Sequence, residues 1–435
     1  MTHNCIQLGK RSTSTICKRA SISHPKQNVT IKCNYPRSLS ASSNVILHSV
    51  PENYGNVGMI LLQKGKPVIP QQQYRRPFKY PFPTSFPTPT QVFFLMAPST
   101  DLVDFCVRLP KVELHAHING SISPKTMHQL MDRKRAMGTL NEELAAWQVP
   151  DSLERINDFF ALFKYIYQLT EDEEAIRITT RNIIDEFAAD GVKYLELRTT
   201  PRKNPATGMT KESYLAAVLS VINEPRDDIV VRLIVSIDRR NTLEEAFEAV
   251  DLATKFRSQN VVAIDLCGDV SKGSFEALKP AFDKAKSLGF KITLHFNEIM
   301  ENMVEAPALL AFGPDRLGHA TFLDDASRQH IYGNNIPVEI CMTSNVVSKT
   351  VDSYETHHVK ALLKEKHPFV LCTDDKGVFF SDLSNEFVIC SNTFKMNKEE
   401  LYESSYRAID YIFADTKTKE HLKQVWNEWR MQEFN

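Results

Sequence analysis

Eight stretches dense in Val, Ile and Leu recur along the chain with helical patterns between them, and that alternation constrains the fold more than any other feature of the sequence. They are Val112–His117, Val192–Thr199, Ile229–Asp238, Val261–Asp265, Lys291–His295, Arg316–Ala320, Val338–Thr343 and Phe369–Thr373. Strands this apolar are expected in a parallel sheet covered on both faces. The intervening segments have the matching period: Leu243, Ala246, Phe247, Val250, Leu252, Ala253 and Phe256 recur near 3.6 residues, and Phe275–Leu288 runs to Gly289, a helix stop. Eight such units predict a closed (β/α)8 barrel, with an open doubly wound sheet as the alternative. Ser123–Ala189, between the first two strands, reads as several helices, including one through Asp158–Tyr167, placed to cap the barrel mouth as a lid.

The barrel does not account for the whole chain. Residues 1–95 carry 12 Lys and Arg against the single acid Glu52, whereas residues 96–435 carry 40 basic and 52 acidic residues. Prolines 67, 70, 77, 81, 83, 87, 89 and 98 crowd the end of this first part, a density incompatible with helices or central strands. Residues 1–98 are therefore expected to be a disordered, dispensable extension and 99–435 the folded domain. A basic start free of acids also fits an organelle transit sequence. No apolar run approaches the ~20 residues of a membrane span, and the eight cysteines show neither C-x-x-C pairs nor framework spacing. A soluble, cytoplasmic monomer is expected, with no nucleic-acid or membrane partner.

In a barrel, the residues at the C-terminal strand ends converge on one mouth. The first strand ends in His115-Ala116-His117, which puts two imidazoles on one face because residues i and i+2 share a side of a strand. The fifth ends in His295 and is followed by Glu298, the sixth ends in Gly318-His319, and the eighth runs into Asp374-Asp375. Three imidazoles and a carboxylate suit Zn²⁺, which assigns His115, His117, His295 and Asp374 to one metal. Zinc lowers the pKa of a bound water from ~15.7 toward ~7. The remaining groups fit hydrolysis of an amidine-like carbon: Glu298 to protonate a ring nitrogen, His319 to take the water's proton, and Asp375 to hold a second ring nitrogen. The second strand also delivers Thr199, Thr200, Arg202 and Lys203 to the mouth, and the third delivers Asp238 with Arg239-Arg240 behind it. Hydroxyls beside a guanidinium suit a phosphate monoester.

With these pieces in this order, residues 109–423 resemble the adenosine deaminase family of zinc amidohydrolases. The resemblance is carried by Val112–Ser121, Asp265-Leu266-Cys267-Gly268-Asp269, His295-x-x-Glu298, Gly318-His319 and Thr373-Asp374-Asp375. It implies the same barrel with a lid, one zinc, and substrate contacts from His117, Asn119, Thr199, Thr200, Pro201, Arg202, Asp238, Gly268 and Asp375. Phe296-Asn297 stand where nucleoside-specific members usually have small residues, and Lys376-Gly377 where they usually have Pro. Asn119–Ser123, Arg198–Arg202 and Thr373–Gly377 are similar instead to the branch of N6-methyl-AMP deaminases, in which Tyr167 replaces a histidine that this branch can carry. The expected reaction is N6-methyl-AMP to IMP and methylamine. Deamination of free adenosine is the nearest alternative, and a catalytically inactive metal-binding signalling protein a more distant one, although no ligand is missing. The H-x-E and P-C-x-x-C signature of base-editing deaminases is absent. A binuclear amidohydrolase would want a bridging carboxylated Lys at a strand end, and the fourth strand ends in Asp265-Leu266-Cys267-Gly268 instead.

Overall fold

The computed structural model describes residues 100–150 and 156–434. The extension, expected at residues 1–98, lies outside the described residues. Strands β1 (Lys111–His117), β2 (Val192–Thr199), β3 (Val230–Asp238), β4 (Val261–Cys267), β5 (Lys291–Phe296), β6 (Arg316–His319), β7 (Val338–Ile340) and β8 (Phe369–Leu371) form one sheet in sequence order. Each is parallel to the next. Beyond β8 the ring closes on β1: His117 N–H donates to Asp374 O at 3.0 Å and Asp374 N–H to His115 O at 2.7 Å. The closing hydrogen bonds thus fall on three residues proposed as metal ligands. No helix among the described residues is long and apolar enough to cross a membrane.

The helices form where the apolar period and the caps agree. Leu243–Lys255 starts at Thr242, whose hydroxyl accepts from Glu245 N–H while the Glu245 carboxylate accepts from Thr242 N–H. It buries Ala246, Ala249, Val250, Leu252 and Ala253. Loss of such a cap costs about 1 kcal/mol. Phe275–Ser287 stops where Gly289 turns left-handed at φ 77°. The long interval after β1 holds the helices Pro124–Ala136, Glu142–Ala146, Ile156–Leu169 and Glu173–Ala189. Thr170, just past the third of them, contacts Arg202 in the loop after β2, so the insertion reaches the mouth as expected.

The last three strands are shorter than the sequence suggests. Strand β7 stops at Ile340, and Met342–Val347 is helical, so Thr343 is not a strand residue. Its N–H and hydroxyl bond the buried Glu386 instead of continuing the ladder. β6 ends at His319 and β8 at Leu371, and the residues there turn left-handed: His319 at φ 60°, Ala320 at 49° and Asp374 at 64°.

The barrel interior departs from the usual layers of branched apolar side chains. Glu113, Glu196, Arg198, Asp265, Arg316 and Glu339 are fully buried in it. Arg316 donates Nε–H to Glu339 Oε1 at 2.7 Å and Nη2–H to Glu196 Oε2 at 2.5 Å, and Arg198 donates Nη2–H to Glu339 Oε2 at 2.8 Å. Buried charges persist only when paired and hydrogen-bonded. Here the pairing also holds the site above it.

Candidate metal centre and active site

Three imidazole nitrogens converge at the mouth. His115 Nε2 and His117 Nε2 each lie 3.1 Å from His295 Nε2, and Asp374 Oδ1 lies 3.5 and 3.4 Å from the first two. A tetrahedral ion with bonds of 2.0–2.1 Å separates its ligands by about 3.3 Å, which these spacings straddle. The outer ring nitrogens are already committed: His115 Nδ1 lies 2.7 Å from Glu339 Oε2 and His295 Nδ1 lies 3.0 Å from Asp265 Oδ1. A carboxylate there takes an N–H, so the Nε2 lone pairs point inward at one another, an arrangement that asks for a cation between them. Ser344 Oγ donates to Asp374 Oδ2 at 2.7 Å and leaves Oδ1 toward the histidines.

Electrostatics favour positive charge at this point. Burial and Arg198 work against protonation of His115, yet the hydrogen bonds and charges of Asp374 and Glu339 prevail and raise it to about 9. Burial alone would raise Asp265 and Glu339; the charges of His295 and Arg198 on the one, and of Arg198 and Arg316 on the other, hold both carboxyls well below the usual range. These residues fit a divalent metal.

His319 stands beside this set without joining its tetrahedron. It belongs with His115, His295 and Asp374 to a wider group whose ligand atoms lie within 4.8 Å of one another. Its Nε2, however, is 3.9 Å from Asp374 Oδ2 and 3.8 Å from Glu298 Oε2. The closer nitrogen contacts belong to His117, so the geometry favours His117 as third imidazole ligand and leaves His319 between ligand and acid. Neither ring nitrogen of His319 has a hydrogen-bond partner although both are buried, and burial keeps the ring neutral. An unpartnered buried imidazole beside the candidate ligands is available to a bound reactant.

Glu298 is raised by burial, with the Asp374 charge adding and His295 opposing. Asp375 is raised far more, by burial and by the neighbouring Asp374 charge, so it stands protonated beside an ionised partner. Two adjacent carboxyls are thus pushed apart into an acid and a ligand. Asp375 is admitted by Gly120: a methyl group there would sit 1.6 Å from Asp375 Oδ1.

The expected substrate contacts are brought to the same end of the barrel, several of them already engaged. The carboxylate of Asp238 takes Arg240 Nε–H and Nη2–H at 2.8 and 2.6 Å. Gly268, at φ 100°, backs onto it so closely that a Cβ would meet the carboxyl at 2.5–2.6 Å. Thr199 Oγ1 is 2.6 Å from Tyr214 OH, and Thr200 Oγ1 is 3.5 Å from Cys267 Sγ. Pro201 is buried beside them. The Arg202 guanidinium lies 5.2 Å from the Tyr167 ring and 5.6 Å from the Tyr214 ring, donates Nη2–H to Thr170 Oγ1 at 2.5 Å, and keeps a buried Nε–H without a partner. Asn119 Oδ1 is likewise buried and unpartnered.

Sequence reasoning missed Glu339 and Ser344, and quoted Arg198 and Asp265 without a role. Glu339 left one legible signal, an acid inside an otherwise apolar strand.

Residues 110–429 match the family model described as Adenosine deaminase. The chain is 43% identical over 341 residues to N6-Methyl-AMP deaminase of Danio rerio, covering 75% of this chain and 97% of that one. It superposes on the apo N6-methyl-AMP deaminase of Arabidopsis thaliana with a TM-score of 0.71 at 38% identity, over 75% of this chain and 98% of the other. A crystal structure of arabidopsis ADAL complexed with IMP matches with a TM-score of 0.70 at 37% identity, again over 75% and 98%.

Proposed function

The chain belongs to the adenosine deaminase family, and we propose that it hydrolyses N6-methyl-AMP to IMP and methylamine, with one zinc held by His115, His117, His295 and Asp374. The observation that carries this reading is the convergence of three inward-facing imidazole nitrogens and a carboxylate beside an unpartnered His319 and a raised Glu298. Support for the substrate comes from the relatives: N6-Methyl-AMP deaminases on one side, and a structural neighbour complexed with IMP on the other. The chain is proposed to act as a monomer in the cytoplasm on the free nucleotide, without a nucleic-acid or membrane partner. Five described cysteines, Cys106, Cys267, Cys341, Cys372 and Cys390, are buried free thiols, as in a reducing compartment.

When bound, zinc supplies Lewis acidity that lets a water lose its proton near neutral pH. The chain's own residues then divide the work. Asp375, held protonated, donates a hydrogen bond to one ring nitrogen, and Gly268 leaves room for the purine to approach the backbone. Glu298 delivers its proton to a second ring nitrogen, so that C6 accepts the attacking oxygen. His319, neutral and unpartnered, takes the proton released by the water. The C6–O bond forms and the C6–N6 bond breaks; the departing methylamine takes the proton held by His319, and the hydroxyl proton of the addition product returns to Glu298 as C6=O forms.

Arg202 is proposed to turn its unpartnered Nε–H toward the 5′-phosphate, with Thr199 and Thr200 beside it. A charge-assisted contact is worth ~1.5–3 kcal/mol, or roughly ten- to two-hundredfold in kcat/KM. Arg202→Ala is expected to lose that factor on N6-methyl-AMP and almost nothing on N6-methyladenosine, measured side by side with IMP or inosine and methylamine as products. An equal loss on both substrates would show that Arg202 serves the lid through Thr170 and Tyr167 and not the phosphate.

A further inference from the structure

His319 must be held still for its proposed task, yet its ring has no anchor of its own. What places it is its backbone. His319 and Ala320 are both left-handed, at φ 60° and 49°, a conformation disfavoured for a residue with a Cβ that persists only where surrounding structure enforces it. Ala320 N–H, donating to Phe296 O at 3.0 Å, holds one side of that turn.

The other side is held by His358, whose Nε2 lies 2.8 Å from the carbonyl oxygen of His319. A carbonyl only accepts, so His358 carries its proton on Nε2. Burial pushes this ring down to about 4, which keeps it neutral in that tautomer with a bare Nδ1, and Nδ1 is indeed buried without a partner.

His358 in turn stacks on His357 with ring centroids 4.3 Å apart and planes at 22°. Val359 N–H donates to His357 Nδ1 at 3.1 Å, so His357 donates Nε2–H to Asn345 Oδ1, also at 3.1 Å. Asn345 follows Ser344, the residue that orients Asp374. The short helix Met342–Val347 after β7 therefore braces both sides of the reaction centre.

We infer that His358 is a positioning residue: its Nε2–H fixes the His319 carbonyl and through it the imidazole, so that Asn345, His357 and His358 act on the chemical step and not on nucleotide binding. The inference rests on the reading of His319 as proton acceptor. His358→Phe keeps a ring to stack on His357 and removes the donor, while His358→Gln offers an amide N–H near the place of Nε2. A misplacement of about 1 Å costs on the order of 10²-fold. In the zinc-loaded full chain turning over N6-methyl-AMP, His358→Phe is expected to lower kcat by roughly ten- to a hundredfold with KM and zinc content unchanged, and His358→Gln to recover most of it.

The double variant separates positioning from folding. If His358 acts only through His319, His358→Phe adds nothing to the loss already caused by His319→Ala. Full additivity, or a fall in zinc content that tracks the fall in kcat, would show a structural role and overturn the inference. Normal turnover by His319→Ala alone would overturn the reading beneath it as well, and is told apart by occurring without any His358 substitution.

Discussion

Glu298→Gln is expected to bind zinc and N6-methyl-AMP as the unaltered chain does and to lose about 10²- to 10⁴-fold in kcat, the range of a general-acid contribution. The amide has the size of the acid and cannot release a proton to the ring. Glu298 is proposed as a proton donor apart from the ligands, and its Oε2 lies 3.8 Å from His319 Nε2. Burial raises its carboxyl above the ordinary value, so at any given pH a larger fraction of it carries the needed proton than of an ordinary carboxyl. Zinc content, a nucleotide titration and single-turnover rates on the same preparation separate binding from chemistry. Near-normal turnover would mean that another group, with Asp375 the nearest candidate in kind, protonates the purine.

His295→Ala is expected to release the metal and reduce turnover to background. His295 Nε2 lies 3.1 Å from both other imidazole nitrogens, so its loss takes away a neighbour that His115 and His117 share. It also leaves Asp265 buried without the imidazole 3.0 Å away. A buried acceptor that loses its donor costs about 1–3 kcal/mol, so the thermal midpoint should fall along with the zinc content. Asp265→Asn tests the second effect by itself: the ring keeps a neutral partner, and metal affinity should weaken by only about 10- to 100-fold. Full zinc occupancy in His295→Ala would remove His295 from the centre.

That the residues proposed for the site come together could be read from the chain because a barrel gathers strand ends at one mouth. His115, His117, His295, His319, Asp374 and Asp375 each stand at or just beyond the end of a strand whose apolar residues announce it. The strands were legible for a related reason, since burial on both faces leaves little but Val, Ile and Leu. Where an apolar run goes on past the ladder the reading fails: Cys341 and Met342 look like strand, yet the chain leaves the sheet to bring Ser344 against Asp374 and Asn345 against His357. The supporting layer is hidden for a deeper reason. Glu339 meets His115 from 224 residues away, and no local pattern marks a pairing made only by closure of the ring.

Arg202 shows a similar limit. Its place after β2 marks it for the mouth, but the Tyr167 and Tyr214 rings beside it and the bond to Thr170 come from the lid insertion and the following helix. The contacts that Arg202 makes with the lid leave no mark in the sequence around it.

The most direct test of the central claim is the pair of kcat/KM values of the zinc-loaded chain for N6-methyl-AMP and N6-methyladenosine, measured in the same buffer with IMP, inosine and methylamine quantified as products. The proposed function predicts IMP and methylamine in equal amounts and a preference for the nucleotide of at least about tenfold, the lower bound set by one charge-assisted phosphate contact. Equal values, or a preference for the nucleoside, would contradict it.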